Sequence, residues 1–206
     1  MEGNVFNCVS VGVGGQGVIS ATQIMASAAL KASYQVRTAE THGMAQRGGS
    51  VSGYLRFGVR VYGPLIPLGG ADVLLSFEPS ETLRILGYAK PSTRIFINKT
   101  IIKPIIVYQD KKILYPALDQ IELALKKVTP YVYFIDADSL AQHAGNIRTT
   151  NVIMLGVLSG SNSLPLPQTC LEEAILEPIP KKAIDVNKIA FQLGLQAGKL
   201  IGEAKN

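Results

Sequence analysis

The sequence predicts an α/β fold: a three-layer sandwich on a mixed, mainly parallel sheet, with a helical C-terminal third, in a single domain spanning residues 1–206. Three observations predict it. Short valine- and isoleucine-rich runs alternate with segments of helical spacing, as strands and crossover helices do. A glycine-rich turn joins the first such run to the first helix. The last third carries helical spacing interrupted only by the proline breaks "LPLP" and "EPIP". With 206 residues, 47% of them hydrophobic and 17% charged, the chain can bury one substantial core.

Taken in order, "VFNCVSVGV" is a short apolar run suited to a strand buried on both faces. After the glycines, Val18, Ala21, Ile24, Met25, Ala28 and Ala32 recur at helical spacing, an apolar stripe ending near Ser33. "YQVRTAE" is a second strand, so the opening unit reads as a parallel strand–helix–strand crossover. "THGMAQRGGS", Thr41 to Ser50, has no periodicity and reads as a loop. "VSGYLRFG" and "VRVYG" can pair as antiparallel strands across Gly58, or form one bulged strand. "PLIPLGG" is a connection, "ADVLLSF" a strand, and a helix starts near Pro79 with Leu83 and Leu86 on it. "TRIFINK" and "KPIIVYQ" read as strands, "ALDQIELALKKV" as an amphipathic helix and "YVYFIDAD" as a strand ending at two carboxylates. Helices follow over 139–144, 151–159, 171–176 and 186–201. Asp138 is expected to cap the first of these and Asn151 to cap the second or to face a cleft.

Composition narrows the function. The net charge is +5, but the basic residues are scattered, with doublets only at Lys111-Lys112, Lys126-Lys127 and Lys181-Lys182. A nucleic-acid interface needs a clustered basic footprint, so no nucleic-acid partner is expected. No apolar run reaches membrane-spanning length and the N-terminus lacks a basic region before an apolar core, which predicts a soluble cytoplasmic protein. Cys8 and Cys170 form neither a C-x-x-C pair nor a disulfide framework, and an iron–sulfur cluster usually takes four thiolates. Both are expected as small hydrophobes, and no metal site is assigned, Asp136 and Asp138 included.

Gly12, Gly14 and Gly17 fit the G-x-G-x-x-G spacing of a dinucleotide-binding turn, which aims a helix N-terminus at a phosphate. Glu40 closes the second strand where a nicotinamide enzyme places an acid for the ribose, so an independent NAD(P)- or other nucleotide-binding protein stays open. The polar loop beside it is built differently from an ordinary crossover: Thr41, His42, Gln46 and Arg47 crowd in among Gly43, Gly48 and Gly49. Arg47 can clamp a phosphate or carboxylate while the glycines expose backbone N–H groups, or it can lie in solvent.

"GVGGQGVISATQIMASAAL", "RTAETHGMAQRGGSV" and "ADVLLSFEPSETLR", followed by "NVIMLGVL" and "NKIAFQLG", resemble the gamma domain of the 2-oxoacid:ferredoxin oxidoreductases, above all its indolepyruvate branch. The resemblance covers nearly the whole chain in order and is least distinctive over 93–120. It implies membership in an enzyme that decarboxylates a 2-oxoacid, transfers the acyl group to coenzyme A and passes two electrons to ferredoxin. Thiamine diphosphate, magnesium and iron–sulfur clusters are then expected on a larger partner subunit, since this chain has no Gly-Asp-Gly motif and no cysteine cluster. The isolated chain is expected to be inactive, to meet ferredoxin only through the complex, and to be able to pair with a second copy when its partner is missing. By the same resemblance, Gly14, Gly15, Gln16 and Gly17, with Thr41, His42, Gln46, Arg47, Gly48 and Ser50, and Asn151, are the candidate ligand-facing residues. None is assigned a catalytic role.

Overall fold

A computed structural model describes residues 5–42, 49–103 and 114–203 of the chain. Strands β1 (Phe6–Val13), β2 (Gln35–His42), β3 (Ser50–Gly58), β4 (Val73–Ser76), β5 (Arg94–Asn98) and β6 (Val132–Ile135) form one sheet of order β2-β3-β1-β4-β5-β6. β1, β4, β5 and β6 run parallel, while β3 is antiparallel to both β1 and β2. Helices α1 (Val18–Lys31), α4 (Ala137–His143), α5 (Thr150–Gly160), α6 (Gln168–Leu176) and α7 (Ile184–Glu203) contribute to the larger apolar core on one face. Helices α2 (Pro79–Arg84) and α3 (Leu118–Lys126) enclose the smaller core on the other. The three layers and the helical last third are as the alternating pattern predicts.

Each helix buries the face its spacing dictates. In α1, Val18, Ala21, Met25 and Ala28 are buried, on a stripe one side wide. In α5, every residue from Val152 to Leu158 is buried, because this helix is wrapped by the sheet on one side and by α7 on the other. Its contact with α7 runs through glycines. A Cβ on Gly156 would stand 2.6 Å from the carbonyl oxygen of Phe191, and Cβ atoms on Gly160, Gly194 and Gly198 would press on Leu195, Ile153 and Val157 carbonyl oxygens. The backbones are therefore too close for any side chain at these four positions.

Three expectations change. β2 is parallel to β1 but not beside it, because β3 inserts between them, pairing Val9 with Tyr54 on one side and Ala39 with Tyr54 on the other. Thr41 and His42 belong to β2 and Ser50 to β3, so the loop is shorter than its sequence suggests; Gly43 to Gly48 lie outside the described residues. "VRVYG", Val59 to Gly63, forms no strand: β3 already has a neighbour on each edge, so the chain leaves the sheet there. The strand expected at 103–109 falls, beyond Lys103, outside the described residues.

Candidate functional site

α1 follows β1 onto one face of the sheet and α2 follows β4 onto the other. The carboxyl ends of β1 and β4 thus mark a topological switch point, where open α/β sheets leave a crevice. The glycine turn sits there. Gly15 and Gly17 have φ of +102° and +82°, values that L side chains rarely adopt, and Gly17 is the N-cap of α1. Gly17 has no side chain with which to cap this helix, and the N–H groups of its first residues, Val18, Ile19 and Ser20, have no carbonyl partner within the helix. Val18, Ile19 and Ser20 line a cavity of about 370 Å³ together with Val13, Gly14, Gly15, Gly17 and Val51.

The turn is held from within by Gln16. Its Oε1 accepts from Val13 N at 2.7 Å and its Nε2 donates to the Phe77 carbonyl at 2.8 Å, tying the turn across to β4. Gly14 N–H donates to the Gly49 carbonyl at 2.9 Å, so the turn and the start of β3 form one surface. Val13 pairs with Ser50 in register and His42 with Val51, which brings the ends of β1, β2 and β3 to the same edge. Thr41 lies one strand further out, opposite Ser52. Gln46, Arg47 and Gly48 lie outside the described residues.

Asn151 joins this group from far along the chain. A Cβ on Gly17 would stand 3.2 Å from the Asn151 Cβ, Cγ and Nδ2, so the asparagine packs directly against the N-cap of α1. The N-cap of α5 is Thr149, with no side-chain cap bond, and Asn151 sits in the first turn with its Oδ1 accepting from Val152 N at 3.0 Å. Asn151 therefore meets a free N–H and faces the turn at once. It also lines a second cavity of about 610 Å³ between α1 and α6, with Ser20, Gln23 and Arg148 on its wall.

The two carboxylates after β6 do other work than expected. Asp136 is the N-cap of α4, accepting from Ser139 N at 3.2 Å. Asp138 instead accepts from Asn98 Nδ2, Thr100 Oγ1 and Thr150 Oγ1, at 3.2, 2.6 and 2.8 Å. It clamps the end of β5 to the first residue of α5, and so fixes the helix that carries Asn151. Sequence reading also passed over Glu78, which is fully buried and caps α2 through Glu81 N at 3.0 Å. Ser80 Oγ, Ile102 N and the Tyr115 hydroxyl donate to the same carboxylate. Burial and this carboxylate push the Tyr115 phenol up. The signal was present in "EPSE": an acid, a proline at the first helical position and a second acid three residues on.

Among the described residues no group of three or more His, Cys, Asp or Glu side chains comes together. Cys8 is buried, and burial pushes its thiol up to about 12, while Cys170 is half-buried.

Fold and site together define a doubly wound α/β domain with a glycine turn at its switch point. The chain belongs to the pyruvate ferredoxin/flavodoxin oxidoreductase family, which it matches over residues 7–197. It is 45% identical over 195 residues to indolepyruvate oxidoreductase subunit IorB from Thermococcus kodakarensis, covering 94% of this chain and 96% of the relative. Its fold is similar to that of a keto/oxoacid ferredoxin oxidoreductase gamma subunit from Geobacter sulfurreducens, with TM-score 0.70, 19% identity, and 95% and 99% of the two chains covered. It is similar also to 2-oxoglutarate:ferredoxin oxidoreductase from Magnetococcus marinus, with TM-score 0.71 and 19% identity, covering 97% of this chain but 31% of that longer one. No described helix is long and apolar enough to cross a membrane.

Proposed function

We propose that this chain is the thiamine-free subunit of a cytoplasmic 2-oxoacid:ferredoxin oxidoreductase that acts on indolepyruvate or a related arylpyruvate. The observation that carries the proposal is the 45% identity, over 94% of the chain, to an indolepyruvate oxidoreductase subunit. A larger partner supplies thiamine diphosphate, magnesium and the iron–sulfur clusters, which give the carbanion chemistry and the electron path. This chain completes the wall of the active site with Gly14, Gly15, Gly17, Ser50 and Asn151 and with the loop bearing Gln46, Arg47 and Gly48. The first-turn N–H groups of α1 and the Asn151 amide suit a phosphate of coenzyme A, which needs donors and positive potential rather than a base. Gln16 shapes the turn instead of touching the ligand, because both ends of its amide are already bonded.

The independent nucleotide-binding reading is disfavoured by two features. Glu40 stands on β2, separated from β1 by β3, roughly two strand spacings of ~4.8 Å each from the turn. The second glycine of the fingerprint has spent its N–H on the Gly49 carbonyl. Reconstitution separates the two readings. The chain with its larger subunit should reduce ferredoxin in an indolepyruvate- and coenzyme A-dependent manner, and the chain alone should not. Turnover by the isolated chain, or micromolar NAD(P) affinity measured by calorimetry, would overturn the proposal.

A further inference from the structure

The segment leaving β3 at Gly58 and reaching β4 is unusual. Val59, Tyr62, Leu65 and Leu68 are 72%, 83%, 80% and 77% exposed within ten residues, while Val61 and Ile66 between them are buried anchors. This strap is held along its length. Arg56 Nη1 donates to the carbonyls of Gly63 and Leu65, and Val61 N donates to Gln35 Oε1. At its far end Gly69 N and Ala71 N donate to the carbonyls of Gly87 and Tyr88, and Pro64 and Pro67 restrict the backbone between. Large apolar side chains are thus presented on a backbone that has already lost its freedom, the arrangement that makes binding cheap in ordering entropy.

Charge decides what can cover it. From Thr41 to Ala71 the sequence holds no aspartate or glutamate, and the cations at the strap are Arg56 and exposed Arg60, with exposed Arg37 across the pair on β2. Asp72, the first acid that follows, is taken by Lys90 at 2.7 Å and by Asn7 N. A second copy of this chain would set arginine against arginine, so the surface is not complementary to itself. Resting on the functional reading above, we propose that residues Val59 to Leu68 form a preformed docking surface for the larger subunit of the oxidoreductase, which meets it with an apolar recess bordered by carboxylates. The strap leaves the sheet at the amino end of β1, since Phe57 pairs with Phe6, so this contact grips the end opposite the glycine turn. The turn is then positioned from a distance and remains open to small ligands.

The test uses the two co-produced subunits, with affinity measured by biolayer interferometry. Leu65→Ser with Leu68→Ser should weaken association at least 30-fold, in line with the loss of a central apolar anchor. Arg60→Glu should weaken it less and flatten its dependence on salt. Leu123→Ser with Leu200→Ser, exposed positions on α3 and α7, should leave affinity unchanged. Circular dichroism melting of each variant separates docking from folding. Unchanged affinity in the strap variant, with the wild-type pair forming normally, overturns the strap alone; failure of the wild-type pair to form overturns the functional reading with it. Concentration-dependent dimerisation of the isolated chain that the strap variant abolishes would assign the surface to a second copy, and strap-dependent binding to anionic phosphatidylserine vesicles would assign it to a lipid surface. Either result overturns the proposal.

Discussion

Replacing Gly17 with alanine, beside the same change at Gly15, measures what the turn contributes to stability and to ligand contact. Both residues have positive φ, so each alanine must carry backbone strain of about 1–3 kcal/mol. They differ in their surroundings. A Cβ at Gly15 meets nothing within 4 Å, whereas one at Gly17 lies 3.2 Å from three atoms of Asn151 and must displace that side chain by a few tenths of an ångström. For a chain of this size, 1 kcal/mol shifts the melting temperature by roughly 2–4 °C, so Gly15→Ala should melt about 2–12 °C below the wild type. Gly17→Ala should melt at the same temperature or lower. Turnover of the reconstituted complex is the discriminating assay. Gly17→Ala should raise the KM for coenzyme A, because it moves Asn151 as well as the helix N-terminus. Melting of both variants at the wild-type temperature would refute the strain argument. An unaltered KM in Gly17→Ala would refute the assignment of Gly17 and Asn151 to the ligand surface.

Gly156→Ala should cost about 1–3 kcal/mol or more, read as a fall in melting temperature, because its Cβ would meet the Phe191 carbonyl and force α5 and α7 apart. Asp138→Ala strands three donors at the end of β5 and the start of α5 and should destabilise by about 2–3 kcal/mol, with Asp138→Asn recovering part of that loss in chemical denaturation. Arg47→Ala should leave folding intact and reduce coenzyme A-dependent turnover of the complex about ten- to hundredfold, the scale of one charge-assisted anion contact. Cys8 is held as the neutral thiol in the fold, from an ordinary value of 9.0 up to about 12, by burial above all. The folded chain then keeps a proton that the unfolded chain releases, so this contribution is present below pH 9 and lost as pH rises toward 12. Cys8→Ala should remove up to ~1.4 kcal/mol per pH unit of alkaline destabilisation in that window, seen in urea midpoints. In the native protein a thiol reagent at pH 8 should modify Cys170 before Cys8.

The sequence by itself determined the local parts of this protein. β1, the glycine turn and α1 were legible because apolar spacing and positive-φ glycines are properties of adjacent residues, and the same holds for α5 and α7. The end-to-end resemblance located the candidate site in the same way, through blocks of consecutive residues. Only the tertiary structure decided which strands became neighbours. β3 separates β1 from β2, and this weakens the Glu40 argument that the linear spacing had supported, because strand order depends on pairing between distant segments. Asn151 against Gly17, Asp138 between β5 and α5, and Gln16 braced on Phe77 are contacts across long stretches of chain. Side-chain direction at such positions is set by packing, and no periodicity records it. The strap from Val59 to Leu68 shows the same division: its first part, Val59 to Gly63, fitted a strand, but both edges of β3 were already occupied, and the fold left Val59, Tyr62, Leu65 and Leu68 exposed.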